Sequence, residues 1–210
     1  MKIESVASQQ DRIGRYAVKF DDGSAMRLYR QTIEDFALYS GKELEQEEFL
    51  RLCDAAGKMS AKMRAVRIVS ASSVSKADLE SRLVQKGESK PDAHQAVTWL
   101  EELDLLDDQK TAQQIVQRCI SKGYGLARAK QALYEKRVPK EYWQEALEDY
   151  PDQSEKILAF IQSRLGESWD QKDLHRTIDG LIRRGYSYRE IRPVLQTYYD
   201  NADFQEDYDG

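Results

Sequence analysis

Cysteine, histidine and proline are scarce, at two, two and four residues in a chain of 210. Cys53 and Cys119 stand in unrelated contexts and outline no disulfide framework. A reduced, cytoplasmic protein is therefore expected. His94 and His175 lie far apart, without an HExxH partner or a neighbouring cysteine pair, so no metal is expected. There is no GxxxxGK[ST] loop and no GxGxxG following a strand, so no nucleotide cofactor is expected either. No stretch approaches the roughly 20 apolar residues of a membrane helix. The opening MKIESVASQQDRIGRYAVKF has no signal-peptide core. With four prolines and eleven glycines, the chain is not a Pro/Gly-rich linker.

What the chain does have is charge, at 33% of residues, beside 40% hydrophobic residues. Its mean hydropathy of -0.74 would suit a disordered chain. Leu, Ile, Val, Trp and Tyr nevertheless recur at regular intervals throughout, which predicts many thin helices with wet surfaces. The net charge of -5 argues against a plain electrostatic nucleic-acid binder.

The first 30 residues differ from the rest. Gly14 to Phe20 and Ala25 to Tyr29 alternate apolar with polar residues, and Asp21-Asp22-Gly23-Ser24 separates them. Asp-Gly between alternating runs predicts a hairpin, because the turn needs a positive φ. A small antiparallel sheet of two or three strands follows, and it must lean on a helix to be stable. Thr32 is placed to cap a first helix running to Tyr39, and a second helix is expected from Glu43 to about Ala56. A further helical tract is expected from Ala61 to Ser70, before a polar break at Ser72, Ser73 and Ser75.

The remainder carries an internal repeat. Leu79, Leu83 and Lys86-Gly87 align with Ala129, Leu133 and Lys136-Arg137, and with Thr177, Leu181 and Arg184-Gly185. The second Leu recurs at intervals of 50 and 48 residues. A helix is expected before each stretch (to Ser70, Thr111–Ser121, Glu155–Leu165) and another after it (Pro91–Leu103, Pro139–Tyr150, Tyr188–Tyr199). The fold is thus expected to be mostly α, with tandem three-helix, helix-turn-helix-like repeats in an elongated array behind a small β segment. The expected divisions are 1–60, then repeats at 61–108, 109–152 and 153–199, then an acidic flexible tail at 200–210. Leu79, Leu83, Trp99, Leu100, Leu133, Trp143, Leu147, Ile178, Leu181 and Leu195 are expected to be core.

Catalytic groupings are not evident. Asp107-Asp108 precedes a helix, where Asp caps free amides and suits the helix dipole. Charge placement is more informative. Residues 109–150 hold 8 Lys/Arg against 5 Asp/Glu, and residues 153–199 hold 8 against 6. Arg118, Lys122, Arg128, Lys130, Lys136 and Arg137 form the densest candidate partner surface, and Arg183 and Arg184 extend it into the third repeat. At helical spacing such side chains can share a face toward an acidic partner or phosphates, although a solvated helix face has the same composition. Tyr124, Tyr134 and Tyr142 interleave the bases.

The segment from Leu105 to Pro139 resembles the RecX family. Leu106-Asp107-Asp108, Ala112, Arg118, Gly123, Arg128, Leu133, Lys136 and Val138 match its pattern at the expected spacing. SKADLESRLVQKG, from Ser75 to Gly87, resembles the family's upstream element. Ser40-Gly41-Lys42-Glu43-Leu44 behind a β segment resembles its longer members. The chain departs from the family at Ala71–Ser75, where Arg-x-Arg-Ser is usual, and at Arg137, where Gly is usual; the third repeat, with Trp169 and Asp170 opening its middle helix, is divergent.

The resemblance implies a cytoplasmic, non-enzymatic regulator of the RecA recombinase. Such a protein would lie along the RecA–ssDNA filament and alter, mostly inhibit, its recombinase, ATPase and coprotease activities in DNA repair and the SOS response. Expected partners are RecA and its filament, with weak direct DNA contact, no membrane and a monomeric state. The alternative is an independent DNA-binding helical module acting without RecA.

Overall fold

A computed structural model describes residues 1–165 and 169–206, with side chains as far as Tyr199. The chain divides into two compact units, Met1–Leu106 and the chain from Asp107 onward. The architecture is mostly helical, with tandem three-helix repeats behind a three-stranded antiparallel sheet.

In the first unit, β1 (Ile3–Val6), β2 (Arg15–Phe20) and β3 (Ala25–Tyr29) pair in sequence order. Gly23 takes the expected positive φ of 82° in the β2–β3 turn, and Asp22 accepts from the amide of Ser24 at 2.8 Å. Ile3, Val18, Phe20 and Leu28 point to one buried face and pack with Leu38, Leu44 and Leu52. Phe20 meets Phe49 edge to face, with ring centroids 5.6 Å apart. The sheet therefore does lean on helices: α1 (Arg30–Asp35) and the first half of α2 (Gln46–Ala71).

Two local readings of this region are corrected. Thr32 is buried inside α1 rather than capping it, and the helix stops at Asp35, well before Tyr39. The helices expected at 43–56 and 61–70 are one continuous helix, α2. Gly57 lies in its middle because of a neighbour and breaks nothing. A Cβ there would come within 2.9 Å of the Asp92 carboxylate, so the glycine admits a close approach.

The first repeat uses the second half of α2 with α3 (Lys76–Gln85) and α4 (Lys90–Glu102). Ser75 and Ser89 cap the latter two helices, accepting from the amides of Asp78 and Asp92, both at 3.1 Å. Ala61, Ala65, Leu79, Leu83, Ala96 and Leu100 form its core.

The second unit holds α5 (Asp108–Ser121), α6 (Leu126–Glu135), a 3-10 turn (Lys140–Tyr142) and α7 (Trp143–Leu147). It continues with α8 (Ser154–Arg164), α9 (Gln171–Arg183) and α10 (Tyr188–Glu206). The helix expected over Pro139–Tyr150 is thus reduced to a 3-10 turn and five helical residues. The indole N–H of Trp143 donates to the Val138 carbonyl, and Tyr150 turns its hydroxyl onto the Tyr124 carbonyl, which folds this segment back on its own repeat. α10 continues through residues 200–206, where a flexible tail was expected; 207–210 lie outside the described residues.

The middle helices α3, α6 and α9 end alike. The amide three residues past the end of each reaches back to the last core Leu: Glu88 to Leu83, Val138 to Leu133, and Tyr186 to Leu181, at 3.0–3.2 Å. Gly87, Arg137 and Gly185 take the left-handed position between them, with φ of 94°, 53° and 90°. These are Schellman ends, which satisfy carbonyls a helix would otherwise leave bare. Leu83, Leu133 and Leu181 are all fully buried. Leu79, Leu100 and Leu195 are buried as expected, whereas Trp99, Trp143, Leu147 and Ile178 are half-buried. Among the described residues no helix is long and apolar enough to cross a membrane.

Candidate functional site

α5 begins where Asp107 accepts from the amide of Lys110 at 3.0 Å. That bond holds the Asp107 carboxyl below its ordinary value, in the capping role expected of it. The helix buries Ala112, Ile115, Val116 and Cys119, which leaves Arg118 exposed in its last turn and Lys122 exposed at its end. Both cations sit at the carbonyl end of the helix, where the dipole favours them.

Cys119 is buried, and burial pushes its thiol up in spite of the opposing pull of Arg128, Lys122 and Arg118. It remains a protonated core side chain rather than a nucleophile. Arg118, Lys122 and Arg128 are thus each near enough to act on the Cys119 thiol.

Arg128 stands in the first turn of α6, half-buried, with its guanidinium 3.1 Å from Glu135. Hydrogen bonds from Gln131 and then Arg128 hold the Glu135 carboxyl below its usual range. The backbone of Arg128 lies against Gly185, and the Arg184 carbonyl accepts from the Gly125 N–H, so the main chain that ends α9 passes beside the start of α6. Arg183 is exposed, and Arg184 lays its guanidinium over the Phe160 ring, 4.7 Å from the centroid.

Lys130, Lys136 and Arg137 lie farther along α6 and form a second group by backbone position. Lys130 is exposed on the outer face of α6, one turn before the exposed Tyr134. Lys136 and Arg137 end the same helix, about 15 Å along its axis from its start. By backbone position the expected patch thus spans both ends of α6, and Arg128 and Lys136 both act on Glu135 between them.

Lys156 of α8 belongs to the first group and was not anticipated. Its aliphatic stem covers Gly123, and a Cβ at 123 would meet it at 3.5 Å. Nothing local in the sequence signals this, because the contact joins different repeats.

The histidines are ordinary surface groups. His94 lies 3.7 Å from Glu80, and the Nδ1 of His175 lies 2.6 Å from the Gln171 carbonyl. Among the described residues no three His, Cys, Asp or Glu side chains are grouped to hold a metal. What the second unit offers is a cluster of guanidinium and ammonium groups on firmly capped helix ends, suited to recognising negative charge.

Residues 107–147 match a family model described as RecX, second three-helix domain. The chain is 28% identical over 143 residues to the regulatory protein RecX of Vibrio parahaemolyticus, covering 67% of this chain and 92% of that one. It is 26% identical over 200 residues to the regulatory protein RecX of Clostridioides difficile, covering 92% of each. A crystal structure of regulatory protein RecX superposes with a TM-score of 0.59 at 19% identity, over 93% of this chain and 98% of that one, and so shares the fold. The repeat, its Schellman ends and the Asp107 cap lie on the same residues that carry the sequence pattern, and residues 107–147 match the second three-helix domain of RecX.

Proposed function

We propose that this chain is a non-enzymatic regulator that binds the RecA recombinase and the RecA–ssDNA filament. On this reading it lowers the recombinase, ATPase and coprotease activities of RecA in DNA repair and the SOS response. It works as a cytoplasmic monomer, with repeats bounded near 61–108, 109–152 and 153–199. The observation that carries the reading is the junction of two repeats, where the backbone of Arg128 in one lies against Gly185 in the other, next in sequence to Arg183 and Arg184. Curated relatives along nearly the whole chain, each named regulatory protein RecX, support it. Several modest contacts along a polymer add through effective concentration, so a repeat protein needs no deep pocket to bind well.

The test is the ssDNA-dependent ATPase of the cognate RecA with and without the full chain. Inhibition at substoichiometric ratios to RecA is expected. An unchanged rate, together with no co-sedimentation with the filament, sinks the reading. DNA binding without RecA, weakening steeply with added salt, would point to an independent DNA-binding module instead.

A further inference from the structure

The first amides of α6 are not satisfied by its own sequence. Ser75 caps α3 and Asp170 caps α9 with their side chains, but the corresponding residue of α6 is Gly125, which has none. The carbonyl end of α9 serves instead. Gly125 N–H donates to the Arg184 carbonyl at 2.9 Å, and Ala127 N–H donates to the Gly185 carbonyl at 3.2 Å. One helix ends on the start of another, so its bare carbonyls meet the other's bare amides.

This splice needs two glycines. A Cβ at Gly125 would fall 2.2 Å from the Gly185 oxygen, and a Cβ at Gly185 would fall 2.3 Å from the Arg128 nitrogen. Both neighbours are backbone and cannot swing aside. The apolar cores of the two repeats are separate: Ala112, Ile115, Val116 and Leu133 fill one, and Ile157, Ile161, Leu181 and Ile191 fill the other. The joint is therefore largely main chain, with Tyr186 of the third repeat as a buried side chain that crosses it.

We propose that Gly125 and Gly185 are positioning residues that lock the second repeat to the third, so that Arg128, Arg183 and Arg184 meet the partner as one preformed surface. This rests on the regulator reading above. Its advantage is preorganisation: a surface already assembled loses less freedom on binding than two repeats that must first find each other.

The deciding variant is Gly125→Ser. With φ at -77°, residue 125 accepts any side chain as far as its own backbone is concerned, and a serine can cap α6 as Ser75 caps α3. Only the contact with Gly185 is spoiled. The control is Gly87→Ala, a substitution strained in its own backbone, at φ 94°, but with open space around it. Spin labels at Gln131 and Gln162, in full-length protein lacking Cys53 and Cys119, report the distance across the joint. Binding to RecA–ssDNA filaments is measured on the same proteins.

Gly125→Ser should keep its helicity, shift the label distance to a longer and broader distribution, and bind filament at least ~10-fold more weakly. Gly87→Ala should match wild type in distance and binding. An unchanged distance in Gly125→Ser overturns the joint. A changed distance with unchanged binding overturns the positioning role. Wild-type protein that binds no filament sinks the regulator reading, and the distances then decide the joint by themselves. If Gly125→Ser does not fold, Tyr186→Phe loosens the same joint without added bulk and must move the distance in the same direction.

Discussion

The hydroxyl of Tyr186 donates to the carbonyl of Gly123 at 2.8 Å, a buried bond between residues 63 apart in the chain. It ties the loop after α9 to the end of α5 at the point where the second and third repeats meet. Tyr186→Phe leaves the Gly123 carbonyl without this donor. The expected loss is about 1–3 kcal/mol, read from urea denaturation of the full chain. A midpoint equal to wild type would show that water replaces the hydroxyl at no cost.

Leu133 is fully buried and fixes the Schellman end of α6. Leu133→Ala should cost ~2–5 kcal/mol, through lost transfer energy plus the cavity left behind. Tyr134, one residue on, is 70% exposed, and Tyr134→Ser should stay within about 0.5 kcal/mol of wild type. Equal losses for the two would mean that the face of α6 is wrongly assigned.

Arg137 holds a left-handed φ of 53° at the position that Gly87 and Gly185 occupy in the other repeats. A side chain there costs about 1–2 kcal/mol in crowding. Glycine removes that crowding but loses about 0.5–1 kcal/mol to the freedom of the unfolded chain. Arg137→Gly should therefore stabilise by roughly 0.5–1 kcal/mol on these two terms. Destabilisation would show that the contacts of the arginine side chain outweigh the strain.

Burial, followed by the nearby Cys119, Tyr186 and Glu190, pushes the Tyr150 hydroxyl up to about 12 from 10.0. Burial raises Tyr186 as well. In the unfolded chain these phenols ionise near their ordinary value. Their folded values are higher, so the stability they contribute is whole below about pH 10 and is lost as the pH climbs toward 12. Thermal midpoints should hold up to about pH 10 and fall beyond it, less steeply in Tyr150→Phe. A Tyr150→Phe curve parallel to wild type would contradict the assignment.

Charge reversal should discriminate between the two basic groups. Lys122→Glu with Arg183→Glu, both at exposed positions, should weaken filament binding at least ~10-fold while leaving the melting midpoint nearly unchanged. Lys130→Glu with Lys136→Glu, outside the joint, should have a smaller effect. The reverse order would move the interface to the far end of α6.

Much of this molecule is local and was legible as such. The Asp-Gly turn, the Asp107 cap and the three middle-helix stops each need only a few neighbouring residues to satisfy a backbone group, so their residue types announce them. The alternation of β2 and β3 and the recurring Leu83, Leu133 and Leu181 disclosed the sheet and the repeat for the same reason. Tertiary structure decided what those pieces do at long range. Asp92 lies against Gly57, and the carbonyls of Arg184 and Gly185 meet the first amides of α6 at Gly125 and Ala127, contacts between residues far apart in the chain. Whether Arg128 stands with Lys136 or with Arg184 depends on how two helices meet. No spacing along the chain encodes that meeting, because it is set by which backbones can approach without a side chain between them.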